Sequence, residues 1–276
     1  MRALPPGMYS MPQYAARVSS AFSGSLVFAA YPLGNSWYDA VTGSFATNTN
    51  GVSFAAFAKP PKTAMSNAGI GLTGSASGHF KFTNRTGADG ITGNHTVFIE
   101  GSIGNAGSNL RAITSWENSF GNGFDVAWDD ASVVNNSFRY RKNNGSYASA
   151  TTNSLGANSE NFAHRIAVTH DGTNATFYAG GVLINAVANS GSPTANTARR
   201  TKIAAAGSNA DTEGHASSNT LILVFNRVLF DAEIQRLAFN PWIVFTGKSA
   251  RIYSFPADAG GVTTSPYYAY NQMMRG

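Results

Sequence analysis

Residues that reverse the chain recur at short intervals in this sequence, and that spacing limits what it can fold into. Asn144-Gly145 separates Phe138-Arg139-Tyr140 from Ser146-Tyr147. Asp171-Gly172-Thr173-Asn174 separates Ile166-Ala167-Val168 from Thr176-Phe177-Tyr178, and Gly180-Gly181 then leads into Val182-Leu183-Ile184. Asn-Gly steps and paired glycines supply the positive φ angles that tight hairpins demand. Between the turns, apolar residues alternate instead of recurring at helical spacing. Across His95 to Ile103, Val97, Ile99 and Ile103 fall on one face, while Thr96, Glu100 and Ser102 fall mostly on the other. Leu221 to Phe225 is a continuous apolar run, short enough to be a strand buried on both faces.

One helix is expected, and it comes late. Asp231 suits an N-cap, Glu233 suits the first turn, and Phe230, Ile234, Leu237 and Ala238 recur on one side. Asn240-Pro241 ends it, because proline disfavours helical geometry in the residue before it. Many short strands with a single late helix describe an all-β chain of the sandwich or jelly-roll kind.

The 276 residues suffice for one large sandwich, with 43% hydrophobic residues to fill its core. Charged residues make up only 12%, against about 25% in an average soluble domain. Gly, Asn, Ser and Thr therefore cover the surface. The net charge of +5 is scattered, with local runs only at Arg139-Tyr140-Arg141-Lys142 and Arg199-Arg200-Thr201-Lys202, so nucleic acid is not an expected partner. No cysteine is present, which removes disulfides, thiolate nucleophiles and cysteine metal sites. Met1 to Val18 has no continuous apolar stretch of the secretory kind, and no apolar run approaches the roughly 20 residues of a membrane-spanning helix. Synthesis in a cytoplasm without a signal peptide, and no membrane partner, are the expectations.

Several segments, in this order, resemble the laminin-G-like (concanavalin A-like) jelly-roll family. The opening strand Leu26-Val27-Phe28-Ala29-Ala30-Tyr31 is followed by Asp39. A hairpin similar to the family's central one runs from His164-Arg165-Ile166-Ala167-Val168-Thr169-His170-Asp171-Gly172 to Tyr178-Ala179-Gly180-Gly181-Val182, with Gly180 where the family usually has Asn. Phe225-Asn226-Arg227-Val228-Leu229 and Glu233-Ile234-Gln235-Arg236-Leu237 are similar to its closing strand and helix. The resemblance covers about residues 22–245. It implies a two-sheet antiparallel jelly-roll sandwich with one short C-terminal helix, flanked by an N-terminal arm (1–21) and a C-terminal extension (246–276). The exit segment Leu237 to Phe245 resembles laminin-G-like proteins of tailed phages, which implies a virion protein.

Catalysis is not expected from the sequence. Glycan hydrolysis requires two carboxylates flanking the bond, carried by the related glucanases as a Glu-x-Asp-x-(x)-Glu strand, and the expectation is that none of Glu100, Glu117, Glu160, Glu213 or Glu233 has a second acidic residue two positions away. No cofactor is expected either. Gly69-Ile70-Gly71-Leu72-Thr73-Gly74 matches the dinucleotide fingerprint formally, but the residues after it lead into the strand-like His79-Phe80-Lys81-Phe82 and not into a helix. His164 and His170 share a strand phase yet stand six residues, about 20 Å, apart, too far to share an ion. His79, His95 and His215 complete the histidines. Asp125, Asp129 and Asp130 form the best acidic cluster for calcium, and a solvated turn explains them as well.

A structural protein of a phage virion, in capsid decoration or in a tail or fibre, is the leading expectation. Its partners would be other virion proteins and copies of itself, docked through the arms by Tyr9, Tyr14, Tyr267, Tyr268, Tyr270 and Met273, since Tyr and Met are enriched in interfaces. The alternative is a carbohydrate-binding adhesion module for host surface glycans, with a rim at Trp116, Trp128 and Asp125. Trp242, beside the helix exit, is expected in the core.

Overall fold

The computed structural model describes residues 17–18, 22, 24–33, 36–49, 53–56, 70–73, 79–84, 86–103, 110–116, 122–129, 137–143, 145, 147–151, 163–196, 201–203 and 217–246. The turn-punctuated alternation becomes short strands. In chain order these begin β1 (Arg17–Val18), β2 (Leu26–Leu33), β3 (Ser36–Asp39), β4 (Ser44–Thr49), β5 (Ser53–Ala56) and β6 (Ile70–Thr73). They continue with β7 (His79–Phe82), β8 (His95–Ile103), β9 (Leu110–Trp116), β10 (Gly123–Asp129), β11 (Ser137–Lys142) and β12 (Ala148–Thr151). The last are β13 (Ala163–His170), β14 (Asn174–Ala179), β15 (Val182–Ala188), β16 (Lys202–Ile203), β17 (Ser217–Phe225) and β18 (Phe245–Thr246), with one α-helix, α1 (Asp231–Phe239).

Fourteen of the described strands form one antiparallel sheet in the order β12-β11-β10-β9-β16-β7-β4-β3-β2-β17-β8-β13-β14-β15. Strands from the two ends of that order face each other. Phe138 of β11 meets Phe177 of β14 edge to face with ring centroids 5.4 Å apart, and Phe28 of β2 meets Phe82 of β7 at 5.3 Å. Between them lies an inner core that includes Trp37, Phe80, Val97, Ile99, Ile113, Phe124, Val126, Ile166, Ile222 and Val224.

β2, β8, β13, β14 and β17 are covered on their other side too. Leu221, Leu223 and Phe225 of β17 point into a second, outer core with Tyr31, Phe98 and Tyr178, while Ile222 and Val224 point inward. The apolar stripe of α1 (Ile234, Leu237, Ala238) and the 3-10 turn Pro241–Val244 close this outer core. Trp242 belongs to it, 6.0 Å from Tyr31 and 5.7 Å from Phe245 between ring centroids.

The helix is fixed at both ends by charge. It begins one residue earlier than the sequence suggests. Phe230 is its N-cap, and the Glu233 carboxylate accepts the Phe230 N–H at 2.9 Å. Asp231, expected as the cap, instead accepts a hydrogen bond from the Tyr178 hydroxyl at 2.9 Å, which together with burial pushes the tyrosine up to about 12. At the other end, Arg165 of β13 donates to the carbonyls of Ala238 (2.6 Å) and Phe239 (3.0 Å) and is itself held by the buried carboxylate of Glu100 on β8. A cation at the last carbonyls complements the helix dipole.

Turn chemistry follows the sequence. Gly180 and Gly181 both take positive φ, +59° and +84°. A Cβ on Gly181 would lie 3.0 Å from the Gln235 Cα and 3.1 Å from the Ala238 Cβ, so the hairpin sits hard against α1. Asp39 is buried and ties β2 to the turn after β3, its carboxylate accepting the N–H groups of Ala29 and Val41 and the Thr42 hydroxyl. Burial raises its pKa, and these hydrogen bonds oppose the rise. The Gly-rich segment 69–74 contains strand β6, paired antiparallel with β5, which is not the strand-to-helix turn of a dinucleotide site. Arg17 and Val18 pair with Thr246 and Phe245, so the inner ends of the two expected arms meet each other.

Gly87, in the 3-10 turn Gly87–Gly90, lies against β2. A Cβ there would collide with the Val27 carbonyl oxygen and come within 2.6 Å of its Cβ. Gly90, at the end of the same turn, has open space. Gly87→Ala is expected to cost about 2–3 kcal/mol as an overpacking change and Gly90→Ala close to nothing. Paired thermal melts check this, and equal melting temperatures for the two variants would refute the contact.

Candidate functional site

Strand alternation sorts β10 and β11 cleanly. Phe124, Val126, Phe138 and Tyr140 enter the inner core, so Asp125, Arg139 and Arg141 stand on the opposite face. The register places Asp125 directly across from Arg141. Tyr147, just before β12, is returned to this face by the hairpin turn in which Asn143 takes a φ of +46°.

These four side chains form one cluster. The Asp125 carboxylate accepts Nη2 of Arg141 at 3.1 Å and the Tyr147 hydroxyl at 3.3 Å. The Arg141 guanidinium lies over the Tyr147 ring at 4.1 Å, with that of Arg139 at 5.5 Å. Asp125 is fully buried, while the Arg141 side chain retains 12% of its surface and Arg139 and Tyr147 are half-buried. Asp125 therefore positions the others and does not itself meet solvent. The result is a pair of half-buried guanidinium groups fixed around an aromatic ring. Such groups recognise carboxylates through paired N–H donors, and the ring offers an apolar edge.

A second polar cluster lies at the rim, on the inner side. His95 of β8 and His170 of β13 are cross-strand partners with rings 5.4 Å apart, and Tyr140 stands 5.5 and 5.4 Å from them. Tyr140 donates to Nε2 of His95 at 3.0 Å, while Nδ1 of His95 donates to the Gly93 carbonyl at 2.8 Å. Burial drives His95 down to about 3 and lowers His170, and the nearby Lys142 ammonium adds to both shifts. Burial likewise raises the Tyr140 hydroxyl and lowers Lys142.

The structure brings few of the sequence-derived candidates together. In the register of β10, Trp116 lies across from Gly123 and Trp128 across from Leu110 and Phe138, so the two stand at opposite ends of the strand pair, with Asp125 nearer Trp116. Asp129 lies across from Ser137, and Asp130 and His215 lie outside the described residues. Among the described residues no group of three His, Asp or Glu could hold a metal ion. Tyr9, Tyr14, Tyr267, Tyr268, Tyr270 and Met273 also lie outside them. The missed residues are Arg139, Arg141 and Tyr147, and the His95–His170 pair. For the first group the signal was the Arg-x-Arg spacing on a strand. The second joins positions 75 residues apart, whose proximity only the sheet order reveals.

No family model matches this chain, and no curated protein matches it. Solved structures do. Trypanosoma rangeli sialidase in complex with sialic acid superposes with a TM-score of 0.55 at 13% identity, over 85% of this chain and 37% of that one. The same sialidase in complex with a difluorinated nononic acid gives a TM-score of 0.56 at 13% identity, with the same coverage. A botulinum neurotoxin type C structure, whose cell entry depends on two ganglioside molecules, gives 0.51 at 14% identity over 80% and 52%. The chain thus spans about a third to a half of these proteins, and at such identity the likeness is one of β-rich, lectin-like fold. These structures give no evidence of a phage or laminin-G family.

The expectation that this chain is no enzyme is corrected here, because the structures at the head of the comparison are those of an enzyme, a sialidase. The premise behind it was also too strict. Two carboxylate pairs stand two residues apart, Asp211 with Glu213 and Asp231 with Glu233. The first lies outside the described residues. The second is engaged in the fold, with Asp231 bonded to Tyr178 and Glu233 paired with Arg227 at 2.6 Å, which holds the Glu233 carboxyl below its usual range.

Arg141→Ala removes the guanidinium from a carboxylate that has no access to water, a change expected to cost about 3 kcal/mol. Arg141→Ala combined with Asp125→Ala should recover part of that loss. Urea unfolding of the single and double variants measures it, and additive losses would show that the two groups are not coupled.

Proposed function

We propose that this chain is a glycan-binding module, a laminin-G-like jelly-roll sandwich that takes carboxylate-bearing sugars on the face of β10 and β11. The observation that carries this reading is the Arg139–Arg141–Tyr147 cluster, preset by the buried Asp125. Fixing the guanidinium groups before binding spares the side-chain entropy that a free arginine would lose. The shared fold of a sialidase that binds sialic acid and a toxin whose entry depends on gangliosides supports the same class of ligand. The jelly-roll assignment is supported by the inner core, to which strands from both ends of the sheet order contribute.

The test is a glycan array probed with the purified full chain, followed by calorimetry on the best ligand. Sialylated or uronate-containing glycans should bind above their neutral counterparts. Arg139→Ala should weaken binding about tenfold, equivalent to roughly 1.4 kcal/mol, with little change in melting temperature. Equal binding of neutral glycans, or no binding at all, would sink the proposal. Free sugar released in the same incubations would mark the site as hydrolytic.

A structural role in a phage virion is the second reading, favoured by the exit segment Leu237–Phe245, which carries the sequence resemblance to phage proteins and closes the outer core. Deleting Ser265 to Gly276 should then leave the melting temperature unchanged and abolish incorporation into particles. Normal incorporation would remove the docking role of that terminus.

A further inference from the structure

The segment 189–196 leaves β15 and crosses the rim toward β16. Its ties come from three separate places. The turn between β13 and β14 holds it through Asn189 N–H to the Thr173 carbonyl and Gly191 N–H to the Gly172 carbonyl, both 2.8 Å. The end of β11 holds it through the Lys142 ammonium, which donates to the Ser190 carbonyl at 2.6 Å. Asn143 adds two bonds, donating to the Ser192 carbonyl at 3.0 Å and accepting the Thr194 N–H at 2.8 Å. The 3-10 turn Gly87–Gly90 holds its far end, where Asn196 N–H reaches the Asp89 carbonyl at 2.8 Å. The segment carries no charged residue and no large apolar one, so these polar ties, with the buried Pro193, are what secure it.

His170 sits under the first tie. Its Nε2 donates to the Asn189 carbonyl at 2.9 Å and its Nδ1 accepts the Gly172 N–H at 3.3 Å. One ring nitrogen gives and the other receives, which requires the neutral imidazole. A proton added at Nδ1 would face the Gly172 N–H head on, and Gly172 is the residue whose carbonyl holds Gly191. His95 donates through Nδ1 to the Gly93 carbonyl and meets the Tyr140 hydroxyl at Nε2, a partner that can also accept, so its charge acts on the strap through the neighbouring His170 ring. The charged and titratable groups that face this pair among the described residues are Tyr140 and Lys142 from β11 and Asp171 from the β13–β14 turn, with Asp125 beyond Tyr140. Asp171 is exposed and spends its carboxylate on the N–H groups of Thr173 and Asn174.

We infer that segment 189–196 is an acid-released strap: neutral His170 ties its Asn189 carbonyl to the rim with His95 packed behind it, and protonation of this pair lets the segment go while the strands beneath stay paired. Two imidazolium ions 5.4 Å apart beside the Lys142 ammonium would place three cations in a site closed to water, an arrangement that opening relieves. The direction follows from linkage. Both histidines are held below their ordinary pKa of 6.5 in the closed form, so the open form binds more protons. Closure is then complete above about pH 6.5 and weakens as pH falls from there toward about 3, up to tenfold per pH unit for each proton taken up. This inference stands on the rim alone and does not depend on glycan binding.

Hydrogen exchange of the full chain, read by mass spectrometry at pH 7.5 and pH 4.5 and corrected for the intrinsic rate at each pH, tests it. Peptides covering 189–196 should lose protection at least tenfold at pH 4.5, while those covering β8 and β17 keep theirs. His170→Gln supplies a carboxamide that can donate to Asn189 and accept from Gly172 without titrating, and it should restore most of the lost protection. Full protection of the wild-type segment at pH 4.5, equal loss in the variant, or simultaneous loss in β8 and β17 would each overturn the inference. Should His170→Gln not fold, histidine ring NMR on the wild-type chain decides. The ring resonances must move in the same pH window as the amides of the segment, and amides that move while both rings stay neutral would refute it.

Discussion

Burial of one set of strands on both faces is the constraint on which the rest of this structure depends. β17 alternates its side chains between two separate cores, with Ile222 and Val224 packed inward and Leu221, Leu223 and Phe225 outward. A strand in this position has no face left for water, and its neighbours β2 and β8 share the same fate. Ladder hydrogen bonds must therefore satisfy its backbone within the sheet. Helix α1 and the Pro241–Val244 turn exist, in packing terms, to complete the second core. The buried Arg165–Glu100 pair holds the helix in place at the cost of desolvating two charges, a cost offset by the hydrogen bonds of Arg165 to Glu100 and to the last helix carbonyls.

The outward face of β10 and β11 is built differently. No helix lies over it among the described residues, and it carries Asp125, Arg139 and Arg141 where the other side of the molecule carries leucine and phenylalanine. This division of labour explains why the charge-poor composition does not prevent a charged site. A few charged groups brought together by strand register suffice to build one.

Local chemistry was legible in the sequence wherever neighbours along the chain decide the outcome. The Gly180-Gly181 turn, the Asp171 to Asn174 turn, the two-faced run Leu221–Phe225 and the late helix all follow from residues within a few positions of one another. The helix start was misplaced by one residue because Glu233 caps Phe230 from inside the helix, and Asp231 was drawn off by Tyr178, 53 positions away. The site was legible only in part. Asp125 stood out as an acidic residue, but its role as a buried organiser depends on pairing with Arg141 across a connection that local patterning does not define. The histidine pair was invisible for the same reason, since spacing along one strand says nothing about the neighbouring strand. The premise about paired carboxylates failed more simply, as two such pairs are present in the sequence.

Gly181 carries a consequence for the history of this chain. Its φ of +84° disfavours any side chain, and a Cβ there would press on Gln235 and Ala238. A mutation relieving the first problem would still meet the second, and the facing residue is already alanine, so shrinking it offers little relief. Both the hairpin backbone and the helix position would have to adjust to admit a side chain. Descendants of this sequence should therefore diverge freely along the exposed side of α1 while the hairpin tip and the helix face beneath it remain locked to each other.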